Sequence, residues 1–270
     1  MTSGTAGSSS SLASLAGRTA LVTGGGRGAG AAIAARLVAD GAAVLVAART
    51  KEDVDRVAAA LRATGATANA AACDVSSEES VAALAAYAQE IYGRIDILVN
   101  NAGVAMAAPL VKTTLADWNR LIDVNATGAF LCMKAFLPAM IDAGWGRVVN
   151  VASTAALSAD RYISAYAASK HALIGLTRAA AAETATQGVT VNAVCPGFLN
   201  TEMTVQSIAR VAAATGRTPE QALESIANRN PQKRLIDPEE VAAAVAYLCS
   251  GAAQSINGTS MVLDGGELRR

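Results

Sequence analysis

The 270-residue chain has a single histidine, His171, and that scarcity removes two kinds of chemistry at once. One imidazole excludes most histidine-based metal sites, and it argues against a Ser-His-Asp hydrolase. No metal is expected. Cysteine is sparse too: Cys73, Cys132, Cys195 and Cys249 stand far apart, with neither a CxxC pair nor a disulfide framework, which fits a reducing cytoplasm. Net charge is absent, with 22 basic and 22 acidic residues and no runs of either sign. That balance points away from nucleic acid and from anionic membranes as partners. No apolar run reaches the ~20 residues of a membrane helix without polar interruption. Residues 1–16, rich in Ser, Gly, Thr and Ala, lack the basic start and apolar centre of a secretory signal and the arginines of an organellar transit peptide. They are expected to form a disordered tail on a soluble cytoplasmic protein.

Against these absences stands a strong alternation. Short apolar runs at 18–23, 43–48, 67–73, 95–100, 147–153, 189–194 and 260–263 read as strands. Helical patterns lie between them, at about 28–40, 51–64, 77–92, 114–142 and 163–186. Asp237-Pro238-Glu239-Glu240 opens a further helix, with Asp as N-cap, Pro at the first position and Glu reaching back. Strands apolar on both faces and joined through helices predict an α/β fold, a doubly wound parallel sheet of Rossmann type with about seven strands. No linker divides residues 17–270, so one domain is expected. The segment at about 200–235 has helical patterns without a strand. Placed beyond the strand ends, where such sheets bind ligands, it is a candidate substrate lid.

Thr23-Gly24-Gly25-Gly26-Arg27-Gly28-Ala29-Gly30 joins the first strand to the first helix. Glycines there permit a tight turn, let the backbone approach a pyrophosphate and let helix and strand pack closely. The helix start offers free N–H groups and partial positive charge to phosphates. Gly24, Gly26, Arg27, Gly28, Ala29 and Gly30 are therefore candidates for holding a dinucleotide. A merely tight connection is also glycine-rich; the flanking strand and helix favour the dinucleotide. Users of NAD usually carry an acid at the end of the second strand, and here Ala48 is followed by Arg49. A carboxylate would repel a 2′-phosphate, whereas a guanidinium binds it through charge-assisted bonds. With Arg27 as a second cation, NADPH/NADP+ is expected and NADH disfavoured. The alternative is that both are ordinary surface arginines.

Tyr166-Ala167-Ala168-Ser169-Lys170 places a tyrosine and a lysine four apart on one helix face. An ammonium about 4 Å from a phenol, at an effective dielectric of about 20, favours the phenolate by about 4 kcal/mol, or about three pKa units. Lys170 is thus expected to lower Tyr166 toward the working pH, where acid–base catalysis is most efficient. Ser153, at the end of the strand 147–153, can donate a hydrogen bond to the same carbonyl oxygen. An isolated pair of this spacing is otherwise a solvated helix face. Tyr162 has no lysine at the matching distance. His171 points about 100° around the helix from Lys170 and reads as a packing or surface residue.

On these residues the chain resembles the short-chain dehydrogenase/reductase family over nearly all of 17–265. The matching motifs are Thr23–Gly30, Asp74-Val75, Asn100-Asn101-Ala102-Gly103, Asn125, Ser153, Tyr166, Lys170 and Pro196-Gly197. The resemblance implies that Asp74 and Val75 bracket the adenine, and that Asn101, Ala102 and Gly103 line the adenosine ribose side. It implies that Lys170 holds the nicotinamide ribose and that Asn125 anchors a water in a proton relay. It places Pro196, Gly197, Leu199 and Thr201 at the nicotinamide end, with Tyr166 also against the cofactor. Bland alternatives stand beside these: a plain turn at 101–103, a helix kink at Asn125, a strand terminator at Pro196-Gly197. Equivalent helices commonly build tetramers in the family, and the apolar helices at 114–142 and 163–186 predict a homotetramer.

The wording Val191-Asn192-Ala193-Val194-Cys195-Pro196-Gly197-Phe198 resembles bacterial 3-oxoacyl thioester reductases and polyketide ketoreductases. An NADPH-dependent carbonyl reductase acting on a small-molecule ketone is therefore expected, with a 3-oxoacyl thioester as one substrate class. A secondary-alcohol dehydrogenase and a non-catalytic NADPH sensor are the rivals. In the lid candidate Met203, Val205, Ile208 and Val211 read as a pocket wall or as the core face of a helix. Arg161, Arg210 and Arg217 are the cations available to a phosphopantetheine or coenzyme A.

Overall fold

The computed structural model describes residues 14–268, apart from seven side chains within 203–215. Of the expected tail, residues 1–13 lie outside the described residues. Its end needs correction. Leu15 is 2 % exposed and its N–H donates to the Asp40 carbonyl at 2.6 Å, so the packed chain begins before Gly17. A leucine among small polar residues was the overlooked sign.

Seven strands form one sheet in the order β3-β2-β1-β4-β5-β6-β7, every pair parallel. They are β1 (Thr19–Thr23), β2 (Ala43–Ala48), β3 (Ala68–Ala72), β4 (Ile97–Asn100), β5 (Gly146–Val151), β6 (Val189–Pro196) and β7 (Ser260–Leu263). Helices α1 (Gly28–Ala39), α2 (Lys51–Ala63), α3 (Glu78–Tyr92), α4 (Leu115–Ile122), α5 (Gly128–Asp142), α6 (Ser164–Thr184), α7 (Glu202–Thr215), α8 (Pro219–Ala227) and α9 (Pro238–Cys249) complete the order. The central strands are apolar throughout because both faces are covered. In β1, Ala20 and Val22 pack with Ile33 and Leu37 of α1 and Val241 and Val245 of α9. Leu21 faces the other way, into a core with Leu84 of α3 and Met133 and Phe136 of α5. The chain leaves β1 toward one edge and returns through β4 toward the other, which opens a crevice at their C-terminal ends.

Two expected elements differ. The helix read at 114–142 is interrupted by a π turn at Asp123–Thr127 that separates α4 from α5. Such a turn inserts an extra residue into the helix and is frequent at functional sites. By length and composition the whole run Leu115–Asp142 would suit a membrane crossing, but half of its most apolar stretch is buried inside the protein. The strand read at 147–153 stops at Val151. Ser153 instead caps a short 3-10 turn, its Oγ accepting the Ala155 N–H at 3.1 Å.

The segment beyond β6 leaves and re-enters through one neck. Leu199 bridges Ile236; the Asn200 N–H donates to the Ile236 carbonyl at 2.8 Å, and the Ile236 N–H to Phe198 at 2.9 Å. Between these legs α7 and α8 enclose a small core of Ile208, Ala222 and Ile226, with Phe198, Ala212 and Leu235 against it. Thr218 starts α8 with a capping box to Gln221.

Candidate active site

Thr23, the last residue of β1 and the first of the glycine-loop motif, organises the crevice, a role its place in that motif did not reveal. Its buried Oγ accepts the N–H groups of Asn101 and Ala102, each at 3.1 Å. The Asn101 side chain returns the contact, donating to the Thr23 and Gly24 carbonyls at 2.9 and 3.1 Å. The loop after β4 is thereby fastened to the glycine loop. A Cβ on Gly30 would lie 2.2 Å from the Gly24 carbonyl oxygen, so only glycine allows α1 to pack there. Gly24 has φ +63°, a backbone form that side chains disfavour.

The start of α1 suits a phosphate. Arg27 at its N-cap makes no side-chain cap, and the first turn holds no acid, unlike α2, α3 and α9. Gly26, Gly28, Ala29 and Gly30 lie in this turn and the helix start. The residues present therefore fit the pyrophosphate of a dinucleotide. Arg49 is exposed just past β2, close enough to Asp74 to favour its charged form. Asp74 is held below its usual range chiefly by the Ser76 hydroxyl, which donates to its Oδ1 at 2.6 Å. The Val75 side chain is buried, and it occupies the space a Cβ on Gly128 would need. Arg27 points elsewhere than expected, pairing with Glu202 at 3.6 Å across the crevice. A cation that the sequence reading passed over, Arg56, stands beside the loop. Its Nη2 donates to Asp53 at 2.8 Å and to the Gly26 carbonyl at 3.4 Å.

The acid–base candidates meet where β5 ends and α6 begins. Ser153 and Tyr166 are hydrogen-bonded, and Lys170 lies one turn further along α6, 5 % exposed. The Lys170 Nζ donates to the Val151 carbonyl at 2.9 Å. Burial pushes its pKa down to about 8. Burial also pushes the Tyr166 phenol up, with the Ser153 hydrogen bond working the other way. The expected lowering of Tyr166 by Lys170 is thus not what the structure shows. Desolvation disfavours both charged forms, and the ammonium is turned to a carbonyl.

Asn125 sits in the π turn, 1 % exposed, with its side chain fully engaged. Its Oδ1 accepts the Val104 N–H at 2.8 Å, and its Nδ2 donates to the Val104 carbonyl and the Ser169 Oγ, each at 2.9 Å. Ser169, also missed, donates in turn to the Tyr166 carbonyl at 2.7 Å. A Cβ on Gly103 would stand 3.2 Å from the Asn125 Oδ1 and 3.5 Å from the Lys170 Nζ, so the loop after β4 joins this group too. Beneath it runs a buried chain from Asn100 through Asn150 to Thr177, each contact 2.9 Å. Asn100 belongs to the motif at the end of β4, but Asn150 inside apolar β5 and Thr177 on α6 gave no signal.

Pro196 ends β6, and the Gly197 N–H donates to Leu263 of β7 at 2.9 Å. Leu199 lies in the neck. Thr201 caps α7 and approaches Gly28, whose Cβ would be 3.4 Å from its methyl carbon. Val205 is 62 % exposed and Ile208 is buried in the small core between α7 and α8; the side chains of Met203, Val211 and Arg210 lie outside the described residues. Arg161 rests over the Tyr162 ring and Arg217 donates to Ser225. His171 is exposed, its Nδ1 bonded to the Ala167 carbonyl of its own helix.

Comparison with known proteins agrees with this geometry. The family model described as short chain dehydrogenase matches residues 18–212. Oxidoreductase UcpA of Salmonella typhimurium is 40 % identical, over 94 % of this chain and 96 % of its own. The D-beta-hydroxybutyrate dehydrogenase of Cupriavidus necator is 37 % identical over 93 % and 98 %. Among solved structures, a variant of actinorhodin polyketide ketoreductase with NADPH superposes with a TM-score of 0.91 at 36 % identity, covering 94 % of this chain and 98 % of that one.

Proposed function

The chain belongs to the short-chain dehydrogenase family and is an NAD(P)-dependent oxidoreductase of alcohol and ketone groups; from that premise we propose that it reduces ketones with NADPH. The observation that carries this reading is the meeting of Ser153, Tyr166 and Lys170 beside an uncapped, acid-free helix start, with Arg49 where NAD users hold an acid. A nicotinamide cofactor held by the start of α1 and Arg49 would supply the hydride to the carbonyl carbon. Ser153 hydrogen-bonds the substrate oxygen and orients the carbonyl. Tyr166 gives that oxygen its proton. Because burial holds Tyr166 above the ordinary tyrosine value, it keeps its proton at neutral pH, the form that reduction needs. Lys170 keeps a positive charge near the oxygen where negative charge develops. Asn125 acts through the Val104 loop and Ser169, which fix the shape of the wall around Tyr166 and Lys170.

Two likenesses support a 3-oxoacyl substrate: a polyketide ketoreductase and a D-beta-hydroxybutyrate dehydrogenase, which by name handle the ketone and alcohol sides of related groups. The dehydrogenase favours a second reading, in which this chain oxidises a 3-hydroxy compound. The excursion 200–235 is read as the substrate lid, the assembly as a homotetramer and the compartment as the cytoplasm, the last supported by the buried thiols of Cys73, Cys132 and Cys249. Replacing Tyr166 by Phe tests the core of the proposal. NADPH binding should stay within about twofold while ketone reduction falls by about 10²–10⁴-fold. Retained turnover in that variant removes Tyr166 from the mechanism.

A further inference from the structure

Three segments that surround Ser153 and Tyr166 converge on one side chain outside the group described above. Arg229 follows α8 at the foot of the excursion. Its guanidinium pairs with Asp160, in the loop that leads from Ser153 to Tyr166. Its Nε donates to Glu267, in the segment after β7, at 2.8 Å. It also lies over the ring of Phe198, 5.4 Å from its centre, just beyond Pro196-Gly197. Glu267 is the least exposed member, with a side chain 13 % exposed, and a Cβ on Gly197 would lie 3.4 Å from its Oε2. The guanidinium's planar fork serves two carboxylates at once, which a lysine's point charge does not reproduce. Burial alone would lower the Arg229 pKa; its bonds to Asp160 and Glu267 outweigh that and raise it.

The loop that Arg229 grips is strained. Tyr162 has φ +72°, in the left-handed region, and it is not a glycine. Such a residue persists only where its surroundings hold it. Two ties do so here: the Tyr162 carbonyl accepts the Ala108 N–H at 2.7 Å, and Asp160 is held by Arg229. The first tie reaches the loop after β4 and the second reaches the excursion and the chain end.

We propose that Arg229 is a positioning residue that locks the loop before Tyr166, the base of the excursion and the segment after β7 into one wall of the substrate cleft, and so sets the size of ketone accepted. The proposal rests on the reading of this cleft as the ketone site. Arg229 takes no part in proton or hydride movement. With both carboxylates on it, it is also spent as a docking point for an anionic substrate tail. Releasing it lets Tyr162 relax and Phe198 turn, and the wall loses its shape where a bulky substrate needs it most.

Hydrogen–deuterium exchange and steady-state kinetics on the full-length protein test this with Arg229→Gln, Asp160→Asn and Arg229→Lys. Exchange in 157–163 and in 198–236 should rise together in Arg229→Gln and in Asp160→Asn, by about tenfold. For a bulky aryl ketone KM should rise about tenfold while kcat stays within about twofold, and for a small 3-oxo substrate both should hold. Arg229→Lys should recover part of the KM, because it restores charge without the fork. Unchanged exchange in 157–163 on loss of Arg229 overturns the proposal, as does an equal KM change for both substrates. Should Arg229→Gln fail to fold, Asp160→Asn cuts the same tie from the other side. If the wild type reduces neither ketone, the functional reading fails, and exchange alone still decides the lock.

Discussion

Lys170 shows how far the site departs from a comfortable fold. Its ammonium is buried against a backbone carbonyl, and its pKa falls to about 8 from 10.5 in the unfolded chain. Between those values the unfolded chain holds a proton that the folded one has released, so stability climbs as pH rises through that window. The penalty is fully present below about pH 8 and amounts to roughly 3 kcal/mol. Losing the bond to Val151 offsets part of it, so Lys170→Met should gain about 1–2 kcal/mol at pH 7 while abolishing turnover. Thermal melts at pH 7 and pH 10 check this, with the gain shrinking at the higher pH. Arg49→Ala tests the other end of the cofactor. NADPH affinity should fall about 10–100-fold and NADH affinity should not change, measured by nicotinamide fluorescence titration. Equal losses for the two cofactors would remove Arg49 from 2′-phosphate recognition. At this scale the closeness of Tyr166 and Lys170 and the place of Arg49 just past β2 were legible, because a fixed spacing on one helix or after one strand survives folding unchanged. It passed over Ser169 and Asn150, whose side chains meet Asn125 and Thr177 at separations of 44 and 27 residues, and partners so distant leave no local pattern.

Among elements, the strands and most helices were legible because burial on both faces leaves no other reading for runs such as those of β1, β4 and β6. The π turn between α4 and α5 was not. It is a one-residue defect in an otherwise regular pattern, and its reason is tertiary: Asn125 must meet Val104 and Ser169 together. Asn125→Ala should therefore act on this element first. It leaves the Val104 N–H and carbonyl without their buried partner, at a cost of about 1–3 kcal/mol, read as a lowered melting temperature. Ketone reduction should fall with it, because the wall beside Lys170 is no longer fixed. A variant as stable as the wild type would mean that the π turn holds itself. The strand read two residues too far at β5 has a similar cause: Ala152 continues the apolar run, but the Ser153 Oγ accepts the Ala155 N–H and starts a turn.

For the whole molecule, one sheet and two covering layers account for the chain from Leu15 onward, and what remains uncovered is informative. Leu115 and Trp118 of α4 and Phe130 of α5 stay exposed at 74 %, 39 % and 47 % on elements whose other faces are packed. Exposed apolar side chains grouped on neighbouring helices mark an interaction face, and a symmetric copy of the chain is the simplest partner. Light scattering at micromolar protein should give four times the mass of the chain. Trp118→Glu should shift that toward smaller species, and a monomeric wild type would end the tetramer reading.

The single neck at Leu199 and Ile236 has a consequence for changes of length. Since the excursion begins and ends on the same pair of hydrogen-bonded residues, its contents can be lengthened, shortened or exchanged without altering the register of β6 or β7. Closing a longer loop over that neck costs little, about 0.6 kcal/mol per doubling of its length. A change of length inside the excursion is thus absorbed at the neck, provided that Arg229 keeps its ties to Asp160 and Glu267.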